Sequence, residues 1–124
     1  MARIRVLIAD DHRLFVEALE AILAAEDRIT VVGQAADGGE AVRLAQNLHP
    51  DVVLMDISMP VLDGIEATRQ IRAANGGTHV LMVTGSNSTS DVDRAREAGA
   101  AGYVMKDRIA ADLIEAIVES SGRL

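Results

Sequence analysis

The sequence predicts an α/β domain: a doubly wound parallel sheet with helices covering both faces. Two observations carry this reading. Short apolar runs rich in β-branched residues recur along the chain, and segments with three-four apolar spacing separate them. A third observation, the lack of clean apolar–polar alternation within the runs, points to strands buried on both faces. At 124 residues the chain fits one compact domain. Right-handed crossovers then distribute its helices over the two faces of the sheet.

The first strand is read at Ile4–Ala9 and meets Asp10-Asp11. Leu14, Ala18, Leu19, Ile22 and Leu23 form the apolar stripe of the first helix. Asp11 can cap that helix or serve the strand end; Asp10, one residue earlier, has no capping role. The second strand, Ile29–Ala35, precedes a helix striped by Ala41, Leu44, Ala45 and Leu48. The third strand, Val52–Met55, meets Asp56, and the chain turns at Met59-Pro60. Its helix carries Ile65, Thr68, Ile71 and Arg72, a weaker stripe, and Gly76-Gly77 marks the next turn.

The fourth strand, Val80–Val83, leads to Thr84, and Val92, Ala95, Arg96 and Gly99 form the least convincing stripe. The fifth strand, Gly102–Met105, ends at Lys106, and Leu113, Ala116, Ile117 and Ser120 close the series. Asp37 with Glu40 and Asp63 with Glu66 have the spacing of a capping box, and Ser90 with Asp93 repeats it at the fourth helix. The loosest segment is expected at Gly85–Ser90, which holds only Gly, Ser, Asn and Thr.

Composition narrows the function. A hydrophobic fraction of 49% is enough to build a core without staples. The aromatics are Phe15 and Tyr103 alone, too few for surfaces that stack bases. There are 12 Lys and Arg against 19 Asp and Glu, a net charge of −7, with no basic run. Direct nucleic-acid binding is therefore not expected. Zero Cys removes disulfides and thiolate chemistry. The stretch Val6–Ala9 is too short for a signal peptide, and no apolar run reaches membrane-spanning length. A cytoplasmic domain without membrane contact is expected.

Open α/β sheets place their sites at the carboxyl ends of the strands. Four strands here deliver Asp10, Asp11, Asp56, Thr84 and Lys106 to one edge. The second strand delivers nothing, as an outer strand would. Each residue alone has a bland reading, as cap, strand-end hydroxyl or surface lysine; the conjunction points to a site. Three clustered carboxylates repel one another unless a cation or protons intervene. With no Cys and no spaced His pair, Mg²⁺ held by oxygen fits best. Lysine complements phosphate charge, a threonine hydroxyl can donate to a phosphoryl oxygen, and a carboxylate can be the nucleophile. The expectation is Mg²⁺-dependent phosphoryl transfer onto an aspartate.

These residues resemble the receiver domain of two-component response regulators, from about Arg3 to Val118. The pieces are Ile8-Ala9-Asp10-Asp11-His12, then Asp51 through Pro60 with Asp63-Gly64, then Thr84-Gly85-Ser86, then Gly99 through Asp107. Asp-Asp-His with Leu14-Phe15 and the Lys-Asp ending are most similar to the NarL/FixJ branch, which precedes a LuxR-type helix-turn-helix. The resemblance implies strand order 2-1-3-4-5 and Asp56 as phosphoacceptor. It implies that Asp10, Asp11, Asp56 and the Ser58 backbone carbonyl hold Mg²⁺, and that Lys106 pairs with the phosphoryl group. Thr84 and Tyr103 would be the switch residues, altering the surface of helix four, strand five and helix five to control an output such as transcription.

The implied partners are a sensor histidine kinase, meeting helix one around Arg13, Leu14, Val16 and Glu17 and the active-site loops, and a second copy on activation. Residues 1–124 would be a single receiver domain, not a turnover enzyme, with any helix-turn-helix effector outside this chain. Asp107 follows Lys106 where many receivers carry Pro, so no cis bond is expected there. The fifth helix begins at Ile109-Ala110 without a side-chain cap.

Other motifs carry less. Gly33 and Gly38 have phosphate-loop spacing, but Gly39-Glu40 follows where Lys-Ser/Thr is needed. His12, His49 and His79 share no ligand spacing and read as solvent-facing or capping, with a minor alternative that His12, which adjoins the acidic pair, has a role there. Tyr103 also reads as core filler. Two rival functions stand beside the receiver: a phosphorylation-independent interaction domain, and a haloacid-dehalogenase-type aspartyl-phosphate hydrolase. The latter needs Asp-x-Asp at the first strand, where this chain has Asp10-Asp11-His12.

Overall fold

The computed structural model describes residues 2–85 and 88–122. Strands β1 (Ile4–Ala9), β2 (Ile29–Ala35), β3 (Val52–Met55), β4 (His79–Thr84) and β5 (Gly102–Met105) alternate with helices. The helices are α1 (Arg13–Ala24), α2 (Gly38–Leu48), α3 (Gly64–Ala74), α4 (Thr89–Glu97) and α5 (Ile109–Ser120). The sheet order is β2-β1-β3-β4-β5, with every pairing parallel. Strand four is one residue longer at each end than its apolar run, so Thr84 closes β4 itself.

Alternation is hidden in the sequence of the inner strands β1, β3 and β4 because both of their faces are buried. Ile4, Val6 and Ile8 point to one face, where they meet Leu54, Leu81 and Val83 and the buried residues of α1 and α5. Leu7 and Ala9 point to the other, with Val53, Met55, Val80 and Met82, against α2, α3 and α4. Fully burying a side chain of this class contributes about 1.5–3 kcal/mol relative to exposure. The two clusters clamp the sheet from both sides and hold the strand ends in register.

Helix α1 corrects the expected stripe. Val16, Leu19 and Leu23 are buried, whereas Ala18 is exposed and Leu14 is 80% exposed. At about 100° per residue, Leu14 lies about 140° round the helix from Leu19, and Ala18 about 100°. Their mutual i, i+4 spacing belongs to a different face from the one that packs. Helix α4 is corrected too. It starts at Thr89 after the cap Ser88, whose hydroxyl accepts from the Asp91 N–H at 3.1 Å, so Ser90 and Asp93 are not the cap pair. Within the expected loose segment 85–90, Ser86 and Asn87 lie outside the described residues, and Thr89 and Ser90 are already helical. Only Ala95 is buried along α4, and Gly99 lies past its end at φ 105°.

The other caps match the sequence. Asp37 accepts from the Glu40 N–H at 2.7 Å, and Glu40 reaches back to the Ala36 N–H at 2.8 Å. Asp63 accepts from Glu66 N–H at 2.9 Å. Helix α5 follows a 3-10 turn at Lys106–Arg108 and has no side-chain cap. No cis peptide bond occurs among the described residues.

Gly64 matters to the site. A Cβ there would lie 1.8 Å from the Asp56 carbonyl oxygen, so only glycine lets α3 start this close to the end of β3. The Gly64 N–H donates to the Ile57 carbonyl at 2.8 Å and closes the loop. Within it Val61 sits at φ 70°, in a tight turn closed by the Leu62 N–H on the Pro60 carbonyl at 2.8 Å.

Candidate functional site

The sheet ladder runs directly into the two buried acids. The Asp10 N–H donates to the Ala35 carbonyl at 3.0 Å, and the Asp56 N–H to the Ala9 carbonyl at 2.9 Å. Each backbone is therefore fixed by the neighbouring strand, while its side chain projects past the sheet edge. Asp10 is 5% exposed and Asp56 3%, whereas Asp11 is exposed. Asp11 does not cap α1: His12 holds the N-cap position and makes no side-chain cap bond. Its backbone N–H donates instead to Asp10 Oδ1 at 2.8 Å.

Lys106, first residue after β5, brings its ammonium 2.9 Å from Asp10 Oδ2 and 3.5 Å from Asp56 Oδ2. It also lies 4.4 Å from the centre of the Phe15 ring, a cation–π distance that ties α1 to the site. Thr84, 3% exposed, hydrogen-bonds the Asp56 side chain. Four strand ends thus converge, as the sequence expects. Burial pushes the Asp56 carboxyl above the usual carboxylate range, and the Asp10 charge adds to this. Lys106, His12 and the Thr84 bond pull it partly back. Asp56 Oδ2 is buried and accepts no hydrogen bond.

The two other expected residues lie in the loop after β3 and on β5. Ser58 is exposed in the loop two residues past Asp56. Tyr103 is half-buried on β5, paired in register with Met82, and packs with the cluster on the α2–α4 face. Sequence reasoning gives one residue too little weight. His12 Nδ1 lies 2.8 Å from Asp10 Oδ1, 3.5 Å from Asp11 Oδ1 and 3.6 Å from Asp56 Oδ2. The only signal in the sequence is its adjacency to the acidic pair. His49 takes the left-handed position at the C-cap of α2, and His79 opens β4, half-buried.

One donor atom from each of Asp10, Asp11, His12 and Asp56 lies within 4.8 Å of the others. Three hard carboxylates, one with a buried oxygen that lacks a hydrogen bond among the described residues, fit a divalent cation. Beside them runs an open acidic groove lined by Glu17, Glu20 and Glu40. No helix among the described residues is long and apolar enough to cross a membrane.

Comparison with known proteins places the chain in a family. The family model described as the response regulator receiver domain matches residues 6–118. The transcriptional regulatory protein LiaR of Bacillus subtilis (strain 168) is 43% identical over 118 residues, covering 95% of this chain and 56% of LiaR. DegU of Brevibacillus brevis is 41% identical over 93% of this chain and 49% of its own. The chain spans about half the length of these curated relatives. The receiver domain of the response regulator NarL from Mycobacterium tuberculosis superposes with a TM-score of 0.95 at 31% identity, each chain covered in full (100%). The CheX–CheY–BeF3–Mg²⁺ complex of Borrelia burgdorferi matches with a TM-score of 0.88 at 28% identity, over 95% of this chain and 89% of that one.

Proposed function

The chain belongs to the response regulator receiver domain family, and from that premise we propose that Asp56 is its phosphoacceptor. The donor is a phosphorylated histidine of a partner kinase. An Asp56 carboxylate oxygen forms a bond to phosphorus as the donor's N–P bond breaks, and the bonding pair returns to the imidazole, which takes a proton from water. The observation that carries this reading is Asp56 Oδ2, buried and without a hydrogen bond, 3.5 Å from the Lys106 ammonium. A nucleophile so placed is poorly solvated and faces a fixed positive charge, which favours in-line attack on phosphorus.

Lys106 neutralises the incoming phosphoryl oxygens, and Thr84, already bonded to Asp56, offers them a hydroxyl donor. Asp10, Asp11 and Asp56, with the Ser58 backbone carbonyl, would hold Mg²⁺. Bound there, the ion supplies charge neutralisation for the phosphoryl oxygens. The Mg²⁺ named with the CheX–CheY structure supports that choice. Family membership removes the haloacid-dehalogenase alternative.

Phosphorylation adds about −1.5 to −2 charges. Thr84 and Tyr103 relay them to the α4–β5–α5 surface, which dimerises or contacts an effector. The relatives' names and their longer chains support a transcriptional output, through a helix-turn-helix domain outside residues 1–124, in the cytoplasm. Intact-mass spectrometry after incubation with acetyl phosphate and Mg²⁺ tests the reading. One labile phosphoryl group is expected on the wild type, and none on Asp56→Asn or without Mg²⁺. A beryllofluoride titration followed by NMR covers a chain that ignores small phosphodonors. No response to either reagent would leave the phosphorylation-independent interaction domain as the better account.

A further inference from the structure

Resting on the reading of the acidic cluster as a divalent-cation site, we propose that the His12 imidazole is a further ligand there. It turns an all-oxygen site into a mixed one and shifts its preference from Mg²⁺ toward first-row transition cations. The His12 Nδ1 stands 2.8, 3.5 and 3.6 Å from one oxygen each of Asp10, Asp11 and Asp56. Two ligands at right angles on an ion with bonds of about 2.1 Å lie about 3 Å apart. Nitrogen and oxygens already stand near the separations of ligands sharing one ion.

The same nitrogen lies 3.2 Å from the Lys106 ammonium, so a cation already stands beside it and the three carboxylate oxygens. The backbone holds the ring in place: the His12 N–H is bonded to Asp10 Oδ1, and residue 12 is extended at φ −88° and ψ 94°. Independently, Asp56 Oδ2 accepts no hydrogen bond in a residue only 3% exposed. A cation that takes lone pairs from nitrogen and oxygen together would satisfy that oxygen and engage the nitrogen 3.6 Å from it.

The donor set decides which cation gains. Mg²⁺ takes oxygen ligands and gives up its waters reluctantly, so imidazole adds little to its binding. Affinity for nitrogen donors rises from Mn²⁺ toward Ni²⁺ and Cu²⁺. The His12 side chain is 60% exposed, so it can meet an ion at the site's mouth without disturbing the core.

The test is titration of the chain with Mg²⁺, Mn²⁺ and Ni²⁺ by calorimetry, in wild type, His12→Gln and His12→Ala. Electron spin-echo spectra of the Mn²⁺-loaded proteins run alongside. Wild type is expected to show the coupling of a directly bound imidazole nitrogen, and both variants to lose it. The Ni²⁺-to-Mg²⁺ affinity ratio should fall about tenfold or more in both variants. Mn²⁺ bound without nitrogen coupling, or a ratio unchanged by both substitutions, overturns the ligand role while the carboxylate site stands. Binding of none of the three ions overturns the cation reading itself, and this proposal with it.

Discussion

Asp56 has been placed where its charge is expensive. Its carboxyl is pushed up first by burial and then by Asp10, so the folded state holds its proton more tightly than the unfolded chain does. The folded chain therefore loses stability as pH rises from the ordinary carboxylate range through the raised value. Above that raised value the carboxylate is charged, and one of its oxygens has no hydrogen bond among the described residues. Asp56→Asn should then be more stable than wild type at pH 7 by about 1–3 kcal/mol. The difference should vanish as pH falls to about 4 and below. Lys106 keeps Asp10 as a partner at 2.9 Å, so the substitution does not strand its ammonium. Denaturant melts of both proteins at the two pH values check the sign. A less stable variant at pH 7 would make Asp56–Lys106 a net favourable pair.

At the scale of elements, helix boundaries carry the clearest lesson. Ser88 and Ser90 precede acids at the same spacing, so the sequence offers two equivalent caps for α4. The structure uses Ser88, which lies extended at φ −64° and ψ 141° with its hydroxyl on the Asp91 N–H, while Ser90 is inside the first turn. Ser88→Ala should cost about 1 kcal/mol, and Ser90→Ala almost nothing. Thermal melts of the two single variants distinguish them; equal losses would mean that the helix frays and uses both. Helix α1 fails for a related reason. Two overlapping stripes share Leu19, Ile22 and Leu23, and only the neighbouring sheet selects Val16 over Leu14 and Ala18.

At the scale of the molecule, one sheet edge gathers three acids in a chain of net charge −7. Their mutual repulsion opposes folding, and the Lys106 ammonium against Asp10 and Asp56 offsets part of it. Saturating Mg²⁺, at about 100 times its dissociation constant, should stabilise the wild type by about 2.7 kcal/mol. For a domain of this size that is about 10 °C in Tm. Asp11 is exposed and not a cap, so Asp11→Asn should fold normally and lose most of that shift. Differential scanning calorimetry with and without Mg²⁺ checks it; a full shift in Asp11→Asn would remove Asp11 from the ligand set.

The sequence by itself determined the five strands, all but the ends of β4, and the Asp37 and Asp63 caps. It also determined which edge collects Asp10, Asp11, Asp56, Thr84 and Lys106. These are local facts, written in runs of apolar residues and in the polar residue that ends each run, and parallel topology turns them into one edge. The tertiary structure alone decided which face of α1 packs and which serine caps α4, because each choice depends on neighbours distant in sequence. It also decided that the exposed His12 ring lies beside the acids. No spacing in the chain marks that histidine; its Nδ1 lies 2.8 Å from Asp10 Oδ1 and beside a lysine 94 residues away.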